Sequence, residues 1–390
     1  MINTQIKESI KNNSEELTEL RRKLHSEPEL SFEEFKTTEF ICNYLDKLGI
    51  SYRKTEPTGV IAEIYGKTDG KTVALRGDMD ALSVQQLNNV PYASKIEGKM
   101  HACGHDAHTS MLLIAAKALS EVKDQLPGKV RLLFQPAEEI AQGAKAMVEQ
   151  GAMEGVDNVF GIHIWSQMPT SKVSCTPGPS FAAADLFTVK FKGRGGHGAI
   201  PEACIDAALV ASSFVMNVQT VVSRTIDPQS PAVLTIGKMI VGTRFNVIAE
   251  NAEIEGTVRT FHPETRDHME QSIKDYAENV AAIYGATAEV VYTRGTDAVD
   301  NEEESAKLVQ QVASEAFGSD SVYDEKPTMG GEDFSAFLTK APGSFALVGC
   351  GNSEKDTDWA HHHGNFNIDE DSLVTGAELY AQYAWAYLNK

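Results

Sequence analysis

Apolar and polar positions change period several times along this chain, and each change marks an element. Residues 5–25 and 33–48 place apolar side chains at helical spacing, and His25-Ser26-Glu27-Pro28-Glu29-Leu30 between them reads as a helix end and turn. Short apolar runs follow at 60–65, 72–75, 130–134 and 159–164 and read as strands. Helical stretches at 105–122 and 141–150 separate several of them. Strands alternating with helices predict a layered α/β domain with a largely parallel sheet.

From about Asp185 the order changes. Strand 186–192, helix 205–224, strands 232–240 and 252–260, helix 263–284 and strand 287–293 spell βαββαβ, the split arrangement of a ferredoxin-like domain. After about Thr296 the earlier alternation returns, with a helix at 303–317, a strand at 344–348 and a last helix from Ser372. The expected architecture is an α/β catalytic domain, 1–184 and 295–390, carrying an inserted domain at 185–294.

Composition narrows the function classes. At 390 residues the chain is long for one core, which agrees with two domains. The formal net charge of −20 argues against a nucleic-acid partner, because phosphate binding needs a basic face. No run of eighteen apolar residues suggests a membrane span. The polar start, Met1-Ile2-Asn3-Thr4-Gln5-Ile6-Lys7-Glu8, has no apolar signal-peptide core, so a cytoplasmic location is expected. The cysteines, Cys42, Cys103, Cys175, Cys204 and Cys350, are odd in number and irregularly spaced, which fits reduced thiols and not a disulfide framework.

Candidate chemistry gathers after the expected strands. Arg76-Gly77-Asp78-Met79-Asp80 follows one, Gln135-Pro136-Ala137-Glu138-Glu139 another, His163 closes a third, and His361-His362-His363 follows the strand at 344–348. His101-Ala102-Cys103-Gly104-His105-Asp106 stands just before a helix. Ligands of open α/β sheets bind beyond the carboxyl ends of the strands, so parallel neighbours would bring these clusters into one crevice. Thiolate, imidazole and carboxylate are ligands of zinc and similar metals. In the Glu138-Glu139 pair, one carboxylate can bind metal while its neighbour handles the proton of an attacking water. Each cluster also has a plainer reading: a core thiol for Cys103, a turn or cap for Asp78 and Asp80, a helix-dipole partner for the glutamates, a core histidine for His163 and a solvated loop for the histidine run.

Taken in order, the segments Arg21-Arg22-Lys23-Leu24-His25-Ser26-Glu27-Pro28-Glu29-Leu30, Leu75-Arg76-Gly77-Asp78-Met79-Asp80-Ala81-Leu82, His101-Ala102-Cys103-Gly104-His105-Asp106-Ala107-His108 and Phe134-Gln135-Pro136-Ala137-Glu138-Glu139 resemble one family. So do Gly161-Ile162-His163, Gly195-Gly196-His197-Gly198-Ala199, Gly331-Glu332-Asp333-Phe334 and His362-His363-Gly364-Asn365-Phe366. It is the metallopeptidase and amidohydrolase family of hippurate hydrolases, auxin–amino-acid conjugate hydrolases, N-acetyldiaminopimelate deacetylases and bacterial aminoacylases. The segments span nearly the whole chain.

The resemblance implies two divalent ions per subunit (Zn²⁺, Mn²⁺ or Co²⁺) held by Cys103, His105, Glu139, His163 and His362, with Cys103 bridging. It implies Glu138 as general base and proton donor, supported by Asp80. It implies that 185–294 is a lid and dimerisation domain, giving a homodimer. There His197 would reach the substrate carbonyl and Asn246 would lie near the substrate. A free substrate carboxylate would find a partner in Arg259, Arg244 or Asn246. The expected reaction is hydrolysis of the amide bond of a small N-acyl amino acid. The chain departs from many relatives at Leu82-Ser83-Val84-Gln85-Gln86, at Pro201-Glu202 and at Gly364, which bears on substrate preference. A metallo-dipeptidase or carboxypeptidase is the alternative within enzymes, and a catalytically silent small-ligand-binding protein the alternative outside them. A closed structural zinc site would want more cysteine than Cys103.

Overall fold

The structure, a computed structural model, describes residues 2–390. Contacts divide the chain into two compact units. The first holds the residues up to Ser180 with Val299–Lys326 and Asp333–Lys390; the second holds Phe181–Ala298 and Pro327–Glu332.

The first unit is built on a seven-stranded sheet in the order Ser51–Lys54, Val60–Tyr65, Gly128–Gln135, Lys71–Asp78, Asn158–Pro169, Gly343–Gly351, Val173–Ser174. The four strands from Gly128–Gln135 to Gly343–Gly351 run parallel, and antiparallel strands flank them on both sides. Central parallel strands are covered on both faces, which is why they read as apolar runs without alternation. Val73, Ala74 and Leu75 are accordingly all buried. The helices His105–Glu121 and Asp371–Leu388 pack on each other and on the strand Lys71–Asp78, inside the unit's main apolar core. Asp78 and Gln135 close neighbouring parallel strands, so the residues following them emerge at one edge of the sheet.

Several boundaries differ from the sequence reading: the strands expected at 72–75 and 344–348 run over Lys71–Asp78 and Gly343–Gly351, and the one expected at 186–192 begins at Ala183. The helix expected over 5–25 is two helices, Thr4–Asn12 and Ser14–Ser26. Asn13 breaks it: its backbone leaves helical geometry (φ −105°, ψ 17°), and its side chain donates to Ser9 O at 2.7 Å, competing with the backbone ladder. The strand expected over 159–164 extends across Asn158–Pro169, because pairing with Gly343–Gly351 continues past the apolar run.

The second unit has a four-stranded antiparallel sheet in the order Ala232–Val241, Asn251–Thr260, Ala183–Lys192, Thr287–Thr296, with helices Ala207–Thr220 and Pro263–Ile283. In Ala183–Lys192, Phe187, Val189 and Phe191 are buried while Leu186, Lys190 and Lys192 are exposed. The buried set joins Val210, Phe214, Met269 and Ile273 of the two helices in a separate core, so the helices cover one face of the sheet.

Candidate metal centre

Local backbone requirements set the candidate side chains in place. Gly104 has φ +92° and directly precedes the helix His105–Glu121. A Cβ there would lie 2.3 Å from Ile164 Cδ1, so only glycine allows this left-handed turn between Cys103 and His105. Ala137 (φ 54°) and His362 (φ 65°) also adopt left-handed backbone, which costs a non-glycine residue of order 1 kcal/mol or more and clusters at functional sites. The amide of His362 donates to Ala102 O at 2.8 Å, tying the histidine loop to the segment before Cys103.

Asp80 organises one side of the centre. Its Oδ1 accepts from His105 Nδ1 (3.2 Å) and from the amide of Glu138 (3.1 Å), and its Oδ2 accepts from the amide of Glu139 (3.1 Å) and from Ser31 Oγ (2.7 Å). The His105 ring is thereby fixed with Nε2 facing the glutamates, 3.9 Å from Glu138 Oε2 and 3.8 Å from Glu139 Oε1. Burial opposes ionisation of Asp80, but His105 and the other donors outweigh it and hold the carboxyl below its usual range.

Of the five sets of three donor atoms that converge within 4.8 Å of one another among the described residues, two consist wholly of the expected ligands: Cys103, His105 and His163, and Cys103, Glu139 and His362. Cys103 Sγ is 3.3 Å from His163 Nε2, and His362 Nε2 is 3.5 Å from Glu139 Oε2. His163 Nδ1 donates to Ile164 O (2.5 Å), which turns its Nε2 lone pair toward the sulfur. His105 Nε2 and Glu139 Oε1 are buried without a hydrogen-bond partner, a costly state that a bound cation would relieve. Burial and the charges of Asp80 and Asp78 outweigh His105 and push Glu139 up to about 7. Burial likewise opposes charge on His105, but Asp78, Asp80 and Cys103 overcome it and raise its pKa well above the usual value. The surroundings therefore favour positive charge at this point, and the donor set of thiol, imidazole and carboxylate fits zinc-like ions.

His108, left unassigned by the sequence, is a structural part of this centre. Its Nδ1 donates to Asp78 Oδ1 (2.5 Å) and its Nε2 accepts the amide of Ile164 (2.9 Å), so both nitrogens are committed and the ring holds the backbone beside His163. Asp78 in turn pairs with the buried Arg76, whose guanidinium also bonds Gln135 and Asp333. Nothing in sequence spacing announces such contacts; the His-x-x-His interval of 105 and 108 would equally suit two ligands. His101 is buried, with its pKa pushed down to about 4 by burial, and His25 Nδ1 donates to Asp106 Oδ2 at 2.8 Å.

The remaining candidates lie in the second unit. His197 pairs with Val247 across a short antiparallel bridge, and Asn246 O accepts the amide of Gly198 at 3.0 Å, so these two are neighbours. Arg259 lies on the strand Asn251–Thr260 and donates to Thr257 Oγ1 and to Val258 O. Arg244 stacks its guanidinium over Phe245, 6.0 Å from the ring centre.

The sequence profile of peptidase family M20/M25/M40 matches residues 74–386. The N-acetyl-L-cysteine deacetylase of Bacillus subtilis (strain 168) is 43% identical over 360 residues, covering 92% of this chain and 85% of that protein. Thermostable carboxypeptidase 2 of Saccharolobus solfataricus is 38% identical over 391 residues, covering 99% and 98%. The crystal structure of the YXEP protein of Bacillus subtilis, described as a dinuclear metal binding peptidase from the M20 family, superimposes with a TM-score of 0.87 at 35% identity, covering 97% of this chain and 99% of that one.

Proposed function

This chain belongs to peptidase family M20/M25/M40, a family of amide-bond hydrolases, and from that membership we propose that it hydrolyses the amide bond of small N-acyl amino acids. The observation that carries the reading is the adjacency of Glu138 and Glu139, both anchored through their amides to Asp80 beside two converging donor sets. In this reading Cys103, His105, Glu139, His163 and His362 would hold two divalent ions, Zn²⁺, Mn²⁺ or Co²⁺. Divalent ions so bound supply an acidified water and a polarised amide carbonyl.

The chain's own groups do the rest. Glu138 takes the proton of the attacking water and later delivers it to the leaving amine nitrogen, as a general base that becomes a general acid. Asp80 keeps His105 in the tautomer whose Nε2 faces Glu138 and Glu139. His197 donates to the substrate carbonyl oxygen as negative charge develops there, and Asn246 and Arg259 bind the substrate. The proposal takes 1–184 and 295–390 as the catalytic domain and 185–294 as a lid and dimerisation domain; sedimentation showing only monomer would overturn the dimer. A relative named N-acetyl-L-cysteine deacetylase supports an acyl substrate. A relative named carboxypeptidase, matched over nearly its whole length, supports peptide cleavage as the second reading.

The deciding experiment measures amine release from N-acetyl-L-cysteine, N-benzoyl and longer N-acyl amino acids and from unblocked dipeptides. Each is run with chelator and with Zn²⁺, Mn²⁺ or Co²⁺ restored. Chelator-sensitive turnover of the acyl compounds is expected. Turnover of dipeptides alone moves the assignment to a peptidase, and no turnover of any substrate with any metal overturns it.

A further inference from the structure

Glu34 is a fully buried carboxylate outside the set of residues that the sequence singled out. Its Oε1 accepts the amide of Ala137 at 2.9 Å and its Oε2 accepts Thr58 Oγ1 at 2.6 Å; it forms no ion pair among the described residues. A carboxylate buried against neutral donors alone is expensive to keep, and burial pushes this one up to about 7. Ala137 is where this group is needed. It is buried, it holds left-handed backbone at φ 54°, and it immediately precedes Glu138. Its carbonyl accepts the amides of Gln142 (3.3 Å) and Gly143 (3.1 Å), closing a turn so tight that a Cβ on Gly143 would meet Pro136 O at 1.5 Å. Three successive amides, those of Ala137, Glu138 and Glu139, therefore point at two buried acceptors, Glu34 for the first and Asp80 for the other two.

We propose that Glu34 is a positioning residue for the reaction: by accepting the Ala137 amide it holds the left-handed turn that aims Glu138 and Glu139. This rests on the reading of Glu138 as the base. Glu34 touches no reacting atom. It restricts the Ala137 backbone, and a displacement of about 1 Å in a reacting group costs on the order of 100-fold in rate.

The test uses the metal-loaded full chain with N-acetyl-L-cysteine as probe, and measures kcat, KM, bound metal and Tm. Glu34→Met fills the space but offers no acceptor. It is expected to lower kcat about 10- to 100-fold at saturating Zn²⁺, with KM within about twofold and with weaker retention of metal on dialysis, since the same turn aims Glu139. Glu34→Gln keeps the acceptor and is expected to keep most of kcat. Adding Ala137→Gly to Glu34→Met removes the conformational penalty at that residue and is expected to recover kcat several-fold, with Tm recovered only in part. Thr58→Val breaks only the other bond of the same carboxylate, so Tm should fall while kcat holds. The proposal is overturned if Thr58→Val loses kcat in step with Tm, if Ala137→Gly recovers nothing, or if Glu34→Met is fully active. Should Glu34→Met not fold, Glu34→Asp, too short by one methylene to reach the amide, must lose kcat where Glu34→Gln keeps it. An active Glu138→Gln enzyme would instead defeat the assignment of the base and leave the Glu34 comparisons to be read by themselves.

Discussion

Asp80 Oδ1 meets His105 Nδ1 at 3.2 Å while the same carboxylate takes the amides of Glu138 and Glu139. One buried side chain thus sets both an imidazole and the two glutamates. Replacing Asp80 with Ala frees the His105 ring and both amides. Affinity for Zn²⁺ or Mn²⁺ should fall about 10- to 100-fold, as it does when partners of metal-bound histidines are removed. Chelator-competition titration of the purified variant reads this directly; unchanged affinity would show that Asp80 does not orient the site.

Glu138→Gln removes a proton acceptor and preserves shape. Bound metal should stay near the wild-type level while kcat falls by about 10²- to 10⁴-fold. Steady-state amine release and elemental analysis of the same preparation measure the two quantities, and a variant retaining most of its kcat would exclude Glu138 as the base.

Cys103 is the residue shared by the donor set that holds His163 and the one that holds His362. Cys103→Ala should therefore cost more bound metal than His362→Ala, which touches only one of them. Metal content after dialysis against a fixed free Zn²⁺ concentration ranks the two, and the reverse order would place the shared donor elsewhere.

The second unit holds a buried ion pair that makes a pH prediction away from the metal centre. Asp185 accepts two bonds from Arg266 (2.8 and 2.6 Å) and one from Tyr292 OH (2.8 Å). Burial opposes ionisation of Asp185, but Arg266, Tyr292 and the Gly295 amide outweigh it and lower its pKa below the usual carboxylate value. A depressed folded-state pKa stabilises the fold fully above the unfolded value of about 3.9, and that stability is lost as pH falls through the folded value. Asp185→Ala should cost about 1–3 kcal/mol at pH 7, because Tyr292 OH, the Gly295 amide and two Arg266 donors lose their acceptor while Arg266 keeps its pair with Asp297. The gap between the melting curves of wild type and variant should narrow as pH drops below about 4. A gap independent of pH would show that the loss is one of packing.

The chain's local patterns carried the architecture. Apolar runs alternating with helical stretches marked a largely parallel sheet, and the order βαββαβ marked the inserted unit; both follow from the backbone period and need no partner to be read. The chemistry-bearing residue types after the strands were legible for the same reason, since strand direction alone decides which edge their ends reach. What depended on the tertiary structure was orientation. The helix break at Asn13, the commitment of both His108 nitrogens, the left-handed backbone of Ala137 and His362, and the grip of Glu34 on the Ala137 amide join residues far apart in the chain or turn on a single dihedral. Spacing says which side chains can share a face. Which lone pair of a buried histidine remains for a metal, and which carboxylate holds a strained turn, is settled only when every neighbouring donor and acceptor has taken its place.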